Sequence, residues 1–221
     1  LTAHLPKFLL MKERGELSDV LLPAQRPCFV DDSLRMYGIE PASMRTFDVG
    51  TTVEVEELTL VESDRFRPEL LRMPREHLAS GDSQPTRRVF ISREHAPRRR
   101  LLNEDVIWPL FERDGFERVF TERMSFAEQV RLMQETSVLA APHGAGLTNM
   151  MFCREGTHVI EIADLTFPNP NFYATAAALG HHYWLIEAEG IGDVHPLEKD
   201  LRVEPSAVEA VLARVEATVA R

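Results

Sequence analysis

Val138-Leu139-Ala140-Ala141-Pro142-His143-Gly144-Ala145-Gly146-Leu147-Thr148-Asn149-Met150-Met151-Phe152 is the stretch that decides the fold. An apolar run, two glycines around an alanine and a second apolar run spell strand, tight turn and helix start. With no Cβ at Gly144 or Gly146, the backbone can approach a ligand. A helix opening near Leu147 would aim its unpaired N–H groups and positive dipole end into the turn, which suits an anion such as phosphate. An isolated Gly-x-Gly more often serves close packing. Here His143 and Asn149 add polar groups at both ends of the turn, beside the carboxyl end of a strand, where open α/β sheets bind ligands.

From residue 87 onward, strand and helix patterns alternate. Residues 88–92 read as a strand, and 101–112 carry apolar residues at helical spacing with Pro109 as a kink. Residues 117–120 form a short strand, and Ser125 with Glu128 has the form of a capping box opening a helix through Thr136. Residues 138–141 and 157–162 are further strands, 171–179 a helix ended by Gly180, and 183–186 a fifth strand. Strands separated by helices imply a parallel sheet in an α/β, Rossmann-like fold. Residues 205–219 read as an amphipathic terminal helix.

The earlier part is less regular. Residues 5–12 look helical, 19–22 like a strand, 33–37 like a short helix and 52–61 like one or two strands. Ser80-Gly81-Asp82-Ser83-Gln84-Pro85 is the linker candidate. This divides the chain into a partial N-terminal α/β domain (1–80), a Rossmann-like domain (87–200) and a C-terminal helix (203–221).

With 221 residues and 44% hydrophobic content, the chain can bury a substantial core. A net charge of -10 excludes nucleic acid and anionic membrane surfaces as expected partners, while leaving room for a local basic pocket. Cys28 and Cys153 fit no disulfide or zinc pattern, so the reducing cytoplasm is the expected compartment. No apolar run approaches membrane-spanning length, and any anchor or signal would lie upstream of Leu1.

A second cluster follows the first strand of the regular unit. Arg93 stands at its carboxyl end, on the same edge as His143, and a guanidinium fork suits phosphate. Arg98, Arg99 and Arg100 follow, at least one of them expected to be simply solvated. Asn103 and Glu104 either cap the next helix or contact a ligand. Glu161, inside an apolar strand, needs a protein donor or ligand hydroxyls, with the ribose of a nucleotide slightly preferred. Gln129 faces the turn, and His181 and His182 read as structural cations at a helix end. Asp31-Asp32 reads as a helix N-cap, and no DxD-like pair follows a strand in the regular region.

The ordered series Ile91-Ser92-Arg93, Arg99-x-x-x-Asn103-Glu104, Ser125-Phe126-x-Glu128-Gln129, Pro142 to Asn149 and Val159-Ile160-Glu161-Ile162 resembles glycosyltransferase family 61. That family includes plant xylosyl- and arabinosyltransferases, animal protein O-linked N-acetylglucosaminyltransferases and bacterial capsule or surface-polysaccharide proteins. The resemblance covers residues 87 to 187 strongly, while 1–80 resembles the later part of the family's first domain. It implies a two-domain, B-type architecture with a complete second domain and a partial first one. It also implies an inverting, metal-independent transfer from a UDP-sugar donor to a glycan or polysaccharide acceptor, with no further cofactor.

Carried over by position, Arg93 and Arg99 neutralise the diphosphate and His143, Gly144, Ala145, Gly146, Leu147 and Asn149 cradle it. Glu161 holds the ribose, and Asn103 and Gln129 complete the nucleotide-sugar site. The family carries a His and an acidic residue ahead of a Leu-Pro pair; before Leu5-Pro6 stands only His4. The catalytic base is therefore His4, His143 or a residue upstream of Leu1. The residues alone leave a rival class open, a non-catalytic nucleotide- or glycan-binding module. A dinucleotide-dependent oxidoreductase is disfavoured because no GxGxxG follows the first strand of the regular unit.

Overall fold

The computed structural model describes residues 2–18, 20–61, 64, 66–78, 84–166 and 169–219. Helix α1 (Leu5–Arg14) has a proline in its first turn and ends at Gly15, whose φ of 73° is the left-handed cap that glycine adopts without penalty. Strand β1 (Leu21–Pro23), helix α2 (Cys28–Met36) and strand β2 (Arg45–Phe47) come next, and β1 and β2 pair in parallel as a separate two-stranded sheet. Asp31 and Asp32 lie inside α2 rather than at its cap, which is Pro27; Asp31 instead pairs with Arg26 at 2.5 Å. Residues 52–61 form no strand. Their period-two pattern finds no partner among the described residues, so Val53, Val55, Leu58 and Leu60 stand exposed. Helix α3 (Pro68–Glu76) completes this part; of the expected linker, residues 80–83 lie outside the described residues.

The larger sheet is built from β3 (Arg87–Ile91), β4 (Phe116–Val119), β5 (Thr136–Pro142), β6 (His158–Asp164), β7 (His182–Ile191) and β8 (Asp200–Val203). Their spatial order is β4-β3-β5-β6-β7-β8, parallel throughout except for antiparallel β8. The helices between them are α4 (Glu104–Arg113), α5 (Phe126–Gln134), α6 (Asn171–Leu179) and, after β8, α7 (Pro205–Val219). Ser125 and Glu128 form the expected capping box at α5, worth about 1 kcal/mol. Among the described residues no helix is long and apolar enough to cross a membrane.

Strand alternation sends each face to its own layer. Phe90, Val138, Ala140, Ile160 and Ile162 pack with Ile107 and Phe111 of α4 and Val208, Leu212 and Val215 of α7. Val89, Ile91, Leu139 and Val159 pack on the other face with α5, α6 and the buried Leu147, Met150, Met151 and Phe152. Leu5 and Leu9 of α1, Tyr37 after α2 and Leu71 of α3 belong to that second cluster. Leu22 of β1 packs with Leu34, Ile39 and Met44 in a small cluster of its own, whereas helices α1 and α3 and the residue after α2 share the core of the large sheet. Because Leu71 is fully buried there, Leu71→Ala should cost about 2–5 kcal/mol and lower a single cooperative urea transition of the whole chain.

His181 is not the cation expected at the end of α6. Burial pushes its pKa from 6.5 down to about 4, and its Nε2 bonds the Met150 carbonyl at 3.0 Å. Burial does the same to His158, helped by the nearby His182 and Arg88, and its Nδ1 accepts from Trp184 Nε1 at 3.0 Å. Both are neutral in the fold, whereas the unfolded chain binds these protons below 6.5. Their stabilisation is complete above 6.5 and is lost as pH falls toward about 4, so urea midpoints should decline through that window. Replacing both by Asn should flatten the decline.

Candidate functional site

Strand order reverses at β3. The chain leaves β3 toward the face of α4 and leaves β5 toward the opposite face, which opens a crevice at the carboxyl ends of these two strands. The His143 N–H extends the β5–β6 ladder by donating to the Ile162 carbonyl at 2.8 Å. Beyond Gly144 the chain enters a 3-10 helix, Ala145–Phe152, not the α-helix expected from Leu147. Leu147, Met150, Met151, Phe152 and Cys153 are all fully buried, more than the single apolar stripe of a short amphipathic α-helix accommodates.

The glycines serve neighbouring side chains. Gly144 has an extended φ of 167°, so its backbone does not demand glycine, but a Cβ there would lie 2.5 Å from Nη1 of Arg93. A Cβ on Gly146 would lie 3.1 Å from Cγ2 of Ile91. The close approach read from the sequence as room for a ligand is taken up by Arg93 and Ile91. Arg93 donates from Nε to the Arg99 carbonyl at 3.0 Å and from Nη2 to the Arg98 carbonyl at 2.9 Å. Arg99 is held at φ 57°, a left-handed conformation costing a non-glycine residue about 1–2 kcal/mol.

Three arginines in a row meet three different fates. Arg98 pairs with Glu198, and Arg100 pairs with Asp200 at 2.7 Å. The Arg99 guanidinium, half-buried, makes no hydrogen bond or ion pair among the described residues and lines a cavity. Burial lowers the pKa of both Arg93 and Arg99, and each feels a neighbouring arginine. Uncompensated positive charge thus collects beside the turn.

Glu161 is 1% exposed, and both of its oxygens are engaged: His143 Nδ1 meets Oε1 and the Tyr183 hydroxyl donates to Oε2. The carboxylate fixes the imidazole, leaving Nε2 as the ring nitrogen free to meet a ligand. Phe172 of α6 packs edge-on against the ring at 5.1 Å. Burial and the adjoining Glu161 carboxylate push the Tyr183 hydroxyl above its ordinary pKa, so it remains a donor. No local pattern singles out Tyr183 in the sequence, where its place within an apolar strand looks like ordinary core.

The remaining candidates separate into supports and outliers. Gln129 donates to the Thr121 and Met124 carbonyls at 3.0 and 3.2 Å and accepts from Asn149 Nδ2 at 2.9 Å, so the two amides brace the turn from behind. Asn103 stands at the N-cap of α4 without capping it, because its amide is spent on the Val203 backbone at 2.8 and 3.2 Å. Glu104 is buried, accepts from Ser92 Oγ at 2.6 Å, and has its pKa raised by burial. His4 stands before α1 and lines neither of the two cavities that flank the glycine turn.

One of these cavities, about 260 Å³, is bordered by Arg99, His143, Glu161, Tyr173 and Tyr183 together with Leu165, Leu197 and Leu201. The other, about 320 Å³, lies in the crevice between the ends of β3 and β5 and includes Arg93. Asp164 at the end of β6 also borders the first; its carboxylate occupies the space that a Cβ on Gly190 would need.

An open, largely parallel sheet with helices on both faces and a carboxylate-backed histidine at its carboxyl edge defines a Rossmann-like α/β protein. The model of one family, Glycosyltransferase 61, matches residues 1–160, and the chain belongs to that family. The EGF domain-specific O-linked N-acetylglucosamine transferase of Drosophila melanogaster is 31% identical over 88 residues, 39% of this chain and 17% of that protein. A beta-1,2-xylosyltransferase of Arabidopsis thaliana is 38% identical over 60 residues, 27% of this chain and 11% of that protein. The matched stretches thus span less than a fifth of these relatives. Arg93, Arg99 and the turn at His143 fall inside the family match, and Glu161 lies one residue beyond it.

The contact between Gly144 and Arg93 sets a direct test. Gly144→Ala should destabilise the protein by about 1–3 kcal/mol in urea titrations, the cost of overpacking. In an Arg93→Ala background the same substitution should cost much less, because the atom it would strike is gone.

Proposed function

We propose that the protein is an inverting glycosyltransferase that moves a sugar from a UDP-sugar to a glycan or surface-polysaccharide acceptor. What carries the reading is the Arg99 guanidinium, which makes no ion pair among the described residues and sits at the rim of the cavity that His143 and Glu161 also border. In this reading the nucleoside lies in the more apolar cavity and the diphosphate crosses the glycine turn between Arg99 and Arg93. As the bond from the anomeric carbon to the β-phosphate oxygen breaks, negative charge grows on the departing diphosphate. The two guanidinium groups and Nε2 of His143 stabilise it in a transition state with oxocarbenium character. They take the part that a metal ion plays elsewhere. Glu161 acts by orienting His143, with ribose contact secondary, since both of its oxygens are already engaged. We place this chemistry in the reducing cytoplasm, which suits the free Cys28 and Cys153.

One observation favours a second reading, a nucleotide-binding module without turnover: His4, the base candidate of the N-terminal part, borders neither cavity.

UDP should raise the melting temperature by an amount set by the free UDP concentration over its dissociation constant, growing as the logarithm of that ratio beyond saturation. Arg99→Ala should weaken UDP binding by about 1.5–3 kcal/mol in calorimetric titration with little change in the melting temperature of the free protein, because its guanidinium makes no hydrogen bond or ion pair among the described residues. Arg98→Ala, whose charge Glu198 already neutralises, should do much less. Stabilisation by NAD and not by any nucleoside diphosphate would defeat the proposal in favour of a dinucleotide-dependent enzyme.

A further inference from the structure

The proposed donor uses one cavity and leaves the other without a role. The unused one lies where the chain exits β3 and β5 to opposite faces, and its rim carries Arg93, His95, Thr121, Glu122, Ala145 and Gly146. Like its neighbour it offers a carboxylate, a hydroxyl and an imidazole, here from Glu122, Thr121 and His95.

One of these groups, His95, has settled partners. His95 stacks on Phe120 with ring centroids 4.9 Å apart and 19° between planes, and its Nε2 lies 2.6 Å from Nη2 of Arg123. Since a guanidinium only donates, that nitrogen accepts, and the basic site of the imidazole is already filled. Arg123 itself lies 4.8 Å over the Phe120 ring, closing a rigid wall of three side chains. Glu122 differs. Its carboxylate is exposed at the mouth of the crevice, near enough to influence Arg93, yet it makes no hydrogen bond or ion pair among the described residues.

From this arrangement we infer that the crevice is the acceptor-sugar subsite and that Glu122 is the general base of the transfer, an inference resting on the donor reading. Arg93 is the hinge between the two halves: it borders the crevice while its Nε and Nη2 hold the loop that carries Arg99 into the other cavity. A diphosphate lying over the turn presents its anomeric carbon toward the crevice. The acceptor hydroxyl oxygen bonds to that carbon from the crevice side, and its proton passes to the Glu122 carboxylate. The bond to the β-phosphate oxygen breaks on the opposite side, and its electron pair leaves with UDP. Configuration is inverted, and the charge lost by Glu122 reappears on the diphosphate beside Arg93 and Arg99.

The test begins with UDP-saturated protein, labelled for NMR at the methyl groups of Ile91, Ala96, Ala145, Leu165 and Leu197 and titrated with simple methyl glycosides. Saturable shifts confined to these crevice methyls are expected, and shifts at Leu165 and Leu197 alone, or none anywhere, overturn the subsite. Glu122→Gln should leave UDP affinity undiminished and cut transfer about 10²- to 10⁴-fold, with Glu122→Asp partly restoring it. Wild-type transfer by Glu122→Gln, or an equal loss in His143→Ala at unchanged UDP affinity, overturns the assignment of the base. If calorimetry finds no UDP binding to the unaltered protein, the donor reading fails first and this inference with it.

Discussion

The contact between the Arg93 guanidinium and the bare backbone of Gly144 is what the edge of this sheet is organised around. A half-buried cation must find acceptors, and Arg93 finds them in the carbonyls of Arg98 and Arg99. Meeting that need turns the Arg99 backbone into the left-handed region and swings its side chain toward the neighbouring cavity. The turn at β5 yields space because Gly144 has no side chain. Two loops from two different strands are thereby locked into one surface.

The same contact explains how a protein of net charge -10 presents a cationic centre. Two acidic residues beside the loop, Glu198 and Asp200, are assigned one each to Arg98 and Arg100, leaving Arg99 between two neutralised neighbours. Global charge sets solubility and long-range steering, whereas binding follows from which guanidinium is left over. Behind the turn, the Gln129–Asn149 amide pair and the Tyr183–Glu161–His143 chain restrain the same few residues from the opposite side. Restraint of this kind lowers the entropy that a ligand would otherwise have to remove.

What the sequence revealed and what it hid divide along a physical line. Helix α6 between Asn171 and its Gly180 cap, α7, and the Ser125–Glu128 capping box were legible because each signal lies within a few residues. The alternation of β3 through β7 was legible for the same reason, as apolar runs between helical patterns. Strand β8 was not, since four residues acquire meaning only by pairing antiparallel with β7 and by the bridge from Leu201 to Leu101. The pattern at 52–61 misled because alternation makes a strand only where an edge exists to receive it. Among site residues, Arg93 and His143 were placed at one edge by strand ends alone, whereas Arg99 was set apart from Arg98 and Arg100 only by the family resemblance. The partners of Asn103, Gln129 and Glu161 depended on distant contacts that no local pattern encodes.

Three of the contacts around the arginine loop share one number. Arg98 with Glu198, Arg100 with Asp200 and Asn103 with Val203 are each separated by 100 residues along the chain. On a ribosome adding roughly 5–20 residues per second, the arginine loop waits about 5 to 20 s for the segment that anchors it. Until then Arg98 and Arg100 are as unpaired as Arg99, and nothing singles out the one that faces the cavity. The charge pattern of the edge is written last, after the strands that carry it have been made. Loss of the chain from Glu198 onward, by early termination or by a protease, would therefore erase the distinction among the three arginines along with the helix that covers the sheet.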